Sequence, residues 1–298
     1  MVYDVVIVGG GPAGDTAGMY AARAGLRTLV LAPSGGQMGT AEEVENYPGV
    51  PAISGTELAE RMRQSAERAG AEFRMEQVTA LDLREKTAET SLGRYRGRTL
   101  IYAAGAEPRK LGVPGEAALR GRGVSYCAAC DGIFFRDKTV VVVGGGNSAA
   151  AEALTLSRLC RQVYLLHRRD ALRAERRYGE LLGAAENVAF LWNARVEAVL
   201  GDSAVQGIAY TDLAAGKRRE IACDGVFVAV GRKPNTELLK DWLDLDEGGY
   251  VPADETTRTE MPGVFAAGDV RTKALRQIIT AAADGAAAAH MAETFLRQ

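Results

Sequence analysis

Val5-Val6-Ile7-Val8-Gly9-Gly10-Gly11-Pro12-Ala13-Gly14 is an apolar, β-branched run that ends in glycines and opens into an Ala-rich segment. The same device returns as Val140-Val141-Val142-Val143-Gly144-Gly145-Gly146-Asn147-Ser148-Ala149. An unbroken β-branched run of this length reads as a parallel strand buried on both faces, and the Ala-rich stretch after each reads as a helix. Glycines at Gly9, Gly11 and Gly14 let the chain turn tightly and bring its backbone close to a pyrophosphate, whose charge then meets the positive end of the helix. A lone motif of this kind is weak evidence. Two copies, each between a strand and a helix, predict an α/β fold with two Rossmann-like dinucleotide-binding domains. The candidate contacts are Gly9, Gly11, Pro12, Ala13 and Gly14 in the first copy, and Gly144, Gly146, Asn147, Ser148 and Ala149 in the second.

A further repeat sets the domain order. Leu100-Ile101-Tyr102-Ala103-Ala104-Gly105 and its continuation to Pro108 resemble Val226-Phe227-Val228-Ala229-Val230-Gly231 and its continuation to Pro234. After the second copy come one more strand-like run, Gly263 to Asp269, and an Ala-rich stretch from Arg276 to Leu296. These lack a third glycine module, so they are expected to return to the first domain. The second domain is then inserted into the first: residues 1–108 with 236–298, around an insert of residues 109–235.

The chain has 298 residues, enough for about two domains. Its net charge of −2 gives no reason to expect nucleic acid or an anionic membrane as partner. No apolar stretch reaches the ~18 residues of a membrane span, and no basic-then-apolar leader is visible, so a cytoplasmic protein is expected.

The two modules differ where the second strand ends. In the second, His167-Arg168-Arg169-Asp170 stands about 20 residues beyond the glycines, with Arg173 close behind. An acid there would favour NAD. Guanidinium groups suit a ribose 2′-phosphate, so His167, Arg168, Arg169 and Arg173 point to NADP. In the first module the corresponding stretch is Leu29-Val30-Leu31-Ala32-Pro33, with no acid to hold a ribose. Asp15 meanwhile puts a carboxylate in the first helical turn, where it is expected to point away from the pyrophosphate and favour the helix dipole.

Cys127-Ala128-Ala129-Cys130-Asp131 carries the chemistry. Two intervening residues let the sulfurs close a small disulfide at the start of a helical turn, where a thiolate is favoured. Asp131 is a candidate proton carrier. A zinc site would need four ligands, and Cys160, Cys223, His167 and His290 are scattered singly, so no metal is expected. Cys160 and Cys223 read as packing residues, and His290 as structural.

Taken in order, these motifs resemble the bacterial low-molecular-weight thioredoxin reductases, which are two-domain flavoprotein disulfide reductases. The likeness adds Gly35-Gly36-Gln37, Glu43-Val44-Glu45-Asn46, Gly268-Asp269-Val270 and Arg276-Gln277, and runs nearly end to end. It implies FAD in the first domain, near Gly36, Gln37, Asn46, Gly268, Asp269, Arg276 and Gln277, and NADPH in the second. It implies hydride transfer from NADPH to FAD, then reduction of the Cys127/Cys130 disulfide, then exchange with thioredoxin, alternating through a domain rotation in a homodimer. Cys130 would lie next to the flavin, and Cys127, at the exposed start of the turn, would attack the partner. Arg122 and Ile133-Phe134-Phe135 match the region that meets thioredoxin; the family often has Phe where Ile133 stands. A ferredoxin-dependent relative would tend to lose the arginine motif. A reductase of a peroxiredoxin system usually adds an N-terminal thioredoxin-like region. A ferredoxin–NADP reductase lacks the CxxC, and a non-catalytic flavin scaffold has no need of it.

Overall fold

The computed structural model describes residues 2–41 and 43–298. The chain runs β1 (Val2–Val8), α1 (Pro12–Arg23), β2 (Thr28–Leu31), α2 (Gly55–Ala69), β3 (Glu72–Arg74), β4 (Val78–Asp82), β5 (Thr87–Thr90) and β6 (Arg94–Tyr102). It continues through β7 (Val124–Ser125), α3 (Ala128–Asp131), β8 (Thr139–Val143), α4 (Asn147–Ser157), β9 (Gln162–Leu166), α5 (Arg176–Gly183) and β10 (Val188–Leu191). Then follow β11 (Ala194–Leu200), β12 (Gly207–Asp212), β13 (Lys217–Ala222), β14 (Gly225–Val228), β15 (Val264–Ala266) and α6 (Ile278–Leu296). Two compact units result: unit 1 holds the chain up to Glu107 and from Lys233 onward, and unit 2 is Pro108–Arg232.

Unit 1 is built on a seven-stranded sheet in the order β3-β2-β1-β6-β5-β4, with β15 also pairing β6. Strands β3, β2, β1, β6 and β15 are parallel; β5 and β4 are antiparallel. The β-branched run predicted as a buried strand is one: Val5, Val6 and Ile7 are wholly inaccessible. Burying each such side chain contributes about 1.5–3 kcal/mol. On one face α1 and α6 lie against each other through small residues, Ala13, Ala17 and Ala21 meeting Ala288, Ala289 and Ala292. Their approach is close enough that a Cβ on Gly285 would fall 2.1 Å from the Ala13 carbonyl oxygen. That contact explains the Ala-rich C-terminal helix and joins the last segment to the first module. Helix α2 starts at Ser54, whose Oγ accepts from the Glu57 N–H at 3.2 Å, and stops at left-handed Gly70.

Unit 2 repeats the plan with a parallel sheet, β10-β9-β8-β14-β7, and an antiparallel one, β11-β12-β13. Val140, Val141 and Val142 are inaccessible, and α4 packs Ala149, Ala150 and Ala153 onto that sheet. Among the described residues no helix is long and apolar enough to cross a membrane.

Candidate active site

Each glycine motif makes the same cradle. A Cβ on Gly9 would fall 2.3 Å from the Ala103 carbonyl oxygen, and one on Gly14 would fall 1.8 Å from that of Gly9. On Gly11 the nearest atom would be 4.0 Å away, in Gly36. In unit 2 a Cβ on Gly144 would meet the Ala229 carbonyl oxygen at 2.4 Å, whereas one on Gly146 meets nothing within 4 Å. The outer positions are therefore closed by packing and the middle glycine faces open space, the arrangement that lets a pyrophosphate touch the backbone. Both cradles fit a dinucleotide.

Around the first cradle, Gly36 at φ +70° lies against Gly11. The Gln37 side-chain amide donates to the Ala106 carbonyl. Asn46 Nδ2 donates to Gln277 Oε1 at 3.1 Å, so two residues 231 positions apart share one place. Gln277 also caps α6. Gly268, at φ +80°, would press a Cβ to 2.9 Å from that of Ala13, and its N–H donates to Asp284 Oδ2 at 2.9 Å. Ala13 is buried in this contact. Asp269 follows in the same 3₁₀ turn. Arg276 lies 4.1 Å above the ring of Tyr250, and its Nε donates to the Asp269 carbonyl. Sequence reading missed the network beneath: Asp284 accepts from Arg271 at 2.7 and 2.8 Å and from Lys273 at 2.8 Å. Burial alone would raise the Asp284 carboxyl; the bonds from these two cations outweigh it and hold it below the usual range.

Asp15 does not sit as a solvated charge at the helix start. It is 2% exposed, and neither carboxylate oxygen has a hydrogen-bond partner. Burial pushes it up to about 8, against the opposing charge of Arg63.

In unit 2 the segment after β9 folds back on its cradle: the Arg173 N–H donates to the Gly145 carbonyl at 2.7 Å. Arg168, Arg169 and Arg173 are exposed. His167 is buried, with its ring against the Gly145 Cα and Nε2 unpartnered; burial first, then these arginines, lower its pKa. Asn147 and Glu175 bond reciprocally at 2.8 and 3.0 Å, and Ser148 is exposed at the start of α4.

Cys127 and Cys130 form a disulfide, with Cα atoms 5.3 Å apart. Cys127 caps α3, and its carbonyl accepts from the N–H groups of Cys130 and Asp131 at 3.2 and 3.0 Å. Ser125 Oγ accepts from the Cys127 N–H at 3.1 Å and donates to Asp131 Oδ2 at 2.5 Å. Burial raises the Asp131 carboxyl, with the Ser125 bond opposing. Glu152 on α4 adds a second acid that sequence reading missed. It is pushed to about 7 by burial, against Arg232 and the Ala128 N–H, with Asp131 adding to the rise.

Helix α3 spans only Ala128–Asp131, a single turn. Cys130 is exposed and Cys127 half-buried. Cys160 and Cys223 are buried thiols raised to about 11 and about 12 by burial, consistent with packing. His290 is exposed on α6, so it does not serve the core. The apolar run splits: Ile133 and Phe134 are each 41% exposed, while Phe135 packs edge-on to Phe227. Arg122 is exposed, its guanidinium bonded to the Ala118 carbonyl.

Comparison with known proteins agrees with this build. The family model for pyridine nucleotide-disulphide oxidoreductases matches residues 3–285. A thioredoxin reductase of Treponema pallidum is 48% identical over 99% of this chain and 97% of its own length. One of Streptomyces clavuligerus is 46% identical over 99% and 94%. Among solved structures, thioredoxin reductase from Streptococcus pyogenes superposes with a TM-score of 0.93 at 41% identity, covering 99% of this chain and 98% of that one. Two nucleotide-binding units with one redox disulfide define a class, and the chain belongs to the pyridine nucleotide-disulphide oxidoreductase family. Flavin and nicotinamide nucleotide use goes with that membership. Within the family it falls among the low-molecular-weight bacterial thioredoxin reductases, with Cys127–Cys130 as its redox-active disulfide.

Proposed function

We propose that unit 1 holds FAD, unit 2 holds NADPH, and the Cys127/Cys130 dithiol reduces thioredoxin. The observation that carries the donor assignment is the exposed trio Arg168, Arg169 and Arg173, on a segment tied to the second cradle through Gly145. Three guanidinium groups there match a 2′-phosphate and repel nothing in it. For FAD, the residues named are those of the first cradle with Gly36, Gln37, Asn46, Gly268, Asp269, Arg276 and Gln277. For NADPH they are those of the second cradle with His167 and the three arginines. Bound flavin and nicotinamide supply the hydride and electron-pair transfer that side chains lack.

The chain's own residues then handle sulfur and protons. A thiolate of the reduced pair attacks the partner's disulfide. The second thiol resolves the mixed disulfide, so the partner leaves as a dithiol and Cys127–Cys130 is restored. Asp131, raised by burial, is suited to give and retake the proton at the sulfurs. Ser125 holds it in place. In line with the family resemblance, Cys130 is the sulfur placed next to the flavin and Cys127 the one that attacks the partner. Exposed Ile133 and Phe134, with Arg122, offer apolar and cationic contacts to the partner. The working form we propose is a homodimer in the cytoplasm.

Anaerobic titration tests the cofactor assignment: two equivalents of NADPH, one for the Cys127–Cys130 disulfide and one for the flavin, should bleach a bound flavin, and NADH should do so only at far higher concentration. Equal efficiency would refute the donor. For the sulfurs, Cys130→Ser should trap a mixed disulfide with a thioredoxin lacking its resolving Cys, whereas Cys127→Ser should not. Trapping by Cys127→Ser alone would reverse the assignment.

A further inference from the structure

The first cradle lacks one part. A dinucleotide needs acceptors for its ribose hydroxyls, and the second strand of the module normally ends in an acid for that purpose. Here β2 ends at Leu31 and the next residues are Ala32 and Pro33, with no side-chain oxygen between them. The structure brings another carboxyl to that corner. A Cβ on Gly10 would lie 2.7 Å from the Ala32 Cβ, 3.2 Å from the Ser34 carbonyl oxygen and 3.7 Å from Asp15 Oδ1. Asp15 thus lies, in the first turn of α1, beside the same Gly10 corner as Ala32, where the strand-end acid is missing. Both its oxygens are buried without a partner. Arg63 of α2 acts on it electrostatically but spends its guanidinium on Glu60 at 2.9 Å and Glu67 at 2.8 Å. Folding a carboxyl into such a place without donors costs stability, and a vicinal diol would supply two.

We infer that Asp15 replaces the absent strand-end acid and accepts hydrogen bonds from the adenosine ribose of the dinucleotide in unit 1. The inference rests on the reading that FAD occupies that unit. Its raised pKa removes the difficulty of a charge beside the pyrophosphate: a neutral carboxyl does not repel it, and offers both a donor and an acceptor to the diol. Reaching the ribose requires a side-chain rotation of Asp15 and movement of the turn over it, where Pro33, Ser34 and Gly36 are exposed.

The test uses the whole protein stripped of FAD and measures flavin binding by fluorescence. Asp15→Ala should weaken FAD by roughly ten- to a hundredfold, and Asp15→Asn, which keeps a neutral donor and acceptor, should lose much less. An FAD analogue with a 2′-deoxyadenosine ribose should bind wild type less well than FAD does, and this preference should vanish in Asp15→Ala. Ala32→Glu in the Asp15→Ala background should bring it back. The cofactor-free variants should melt higher than cofactor-free wild type, since an unpartnered buried carboxyl has been removed. A structural role gives the opposite: a lower melting point, or equal losses for FAD and the deoxy analogue, and either result overturns the inference. Wild type that binds no FAD overturns the underlying cofactor reading as well; wild type that binds FAD with no deoxy discrimination overturns only the role of Asp15.

Discussion

The two glycine cradles share a backbone and part company one strand later. In each, the middle glycine faces open space and the outer positions are packed shut. After β2 comes Ala32, with a buried and unpartnered Asp15 behind it; after β9 comes buried His167 with three exposed arginines. On the function proposed above, the cradle recognises what all dinucleotides have, a pyrophosphate, while the residues beyond the second strand distinguish one ribose from another.

The largest expected effect comes from closing the third position. Gly14→Ala would set a Cβ 1.8 Å from the Gly9 carbonyl oxygen, between two backbone segments that cannot both stay. Unit 1 should lose flavin binding altogether, as read by absorbance of the purified protein. Ala149 occupies the equivalent place in the second cradle, buried beside Gly144. A Gly14→Ala protein that keeps its flavin would show the two cradles to be interchangeable.

Next in size is the donor. Arg168→Ala with Arg169→Ala should raise the KM for NADPH about a hundredfold, from two charge-assisted contacts in an exposed setting, and leave that for NADH nearly unchanged. Steady-state kinetics with both nucleotides decides it, and a parallel loss would remove the contrast between the modules.

A smaller effect separates the units by pH. Asp15 in the folded chain titrates at about 8, far above its ordinary 3.8, so the folded state holds the proton that the unfolded state releases. Its contribution to stability is whole below about 4 and is lost as pH rises towards 8. His167 has the opposite sign: its folded pKa is lowered, so its contribution is present above 6.5 and lost as pH falls below. Cofactor-free protein should thus lose unit 1 stability on the alkaline side and unit 2 stability on the acid side. Each pKa unit is worth about 1.4 kcal/mol. Denaturation followed by cleavage within each unit should show it, with Asp15→Asn flattening the first slope and His167→Phe the second. The smallest change is Ala149→Gly, expected to cost about 1 kcal/mol through helix propensity and leave NADPH binding in place.

Much of this was open to reading from residues in a row. Strand, glycine turn and helix are local in sequence, so both cradles could be recognised without knowing what they touch. Cys127 and Cys130 are three positions apart and belong to one turn, which made the disulfide legible too. The C-terminal return was readable from composition, since an alanine-rich helix with no module of its own needs a partner to pack on.

Other features depend on neighbours far along the chain. Whether Asp15 is a solvated charge or a buried acid is settled by α2 and by the turn after β2. The Asp284 network draws on Arg271 and Lys273 from a loop whose path follows from β15 and α6. Glu152 approaches Asp131 because α4 packs on α3, and no spacing in the sequence announces that contact. Sequence alone determined the family, the two nucleotide cradles and the redox pair, because each is a local pattern that the backbone must realise in one way. Tertiary structure decided which carboxyls are buried and which charges meet them, because burial is a property of the surroundings and those are assembled from distant segments.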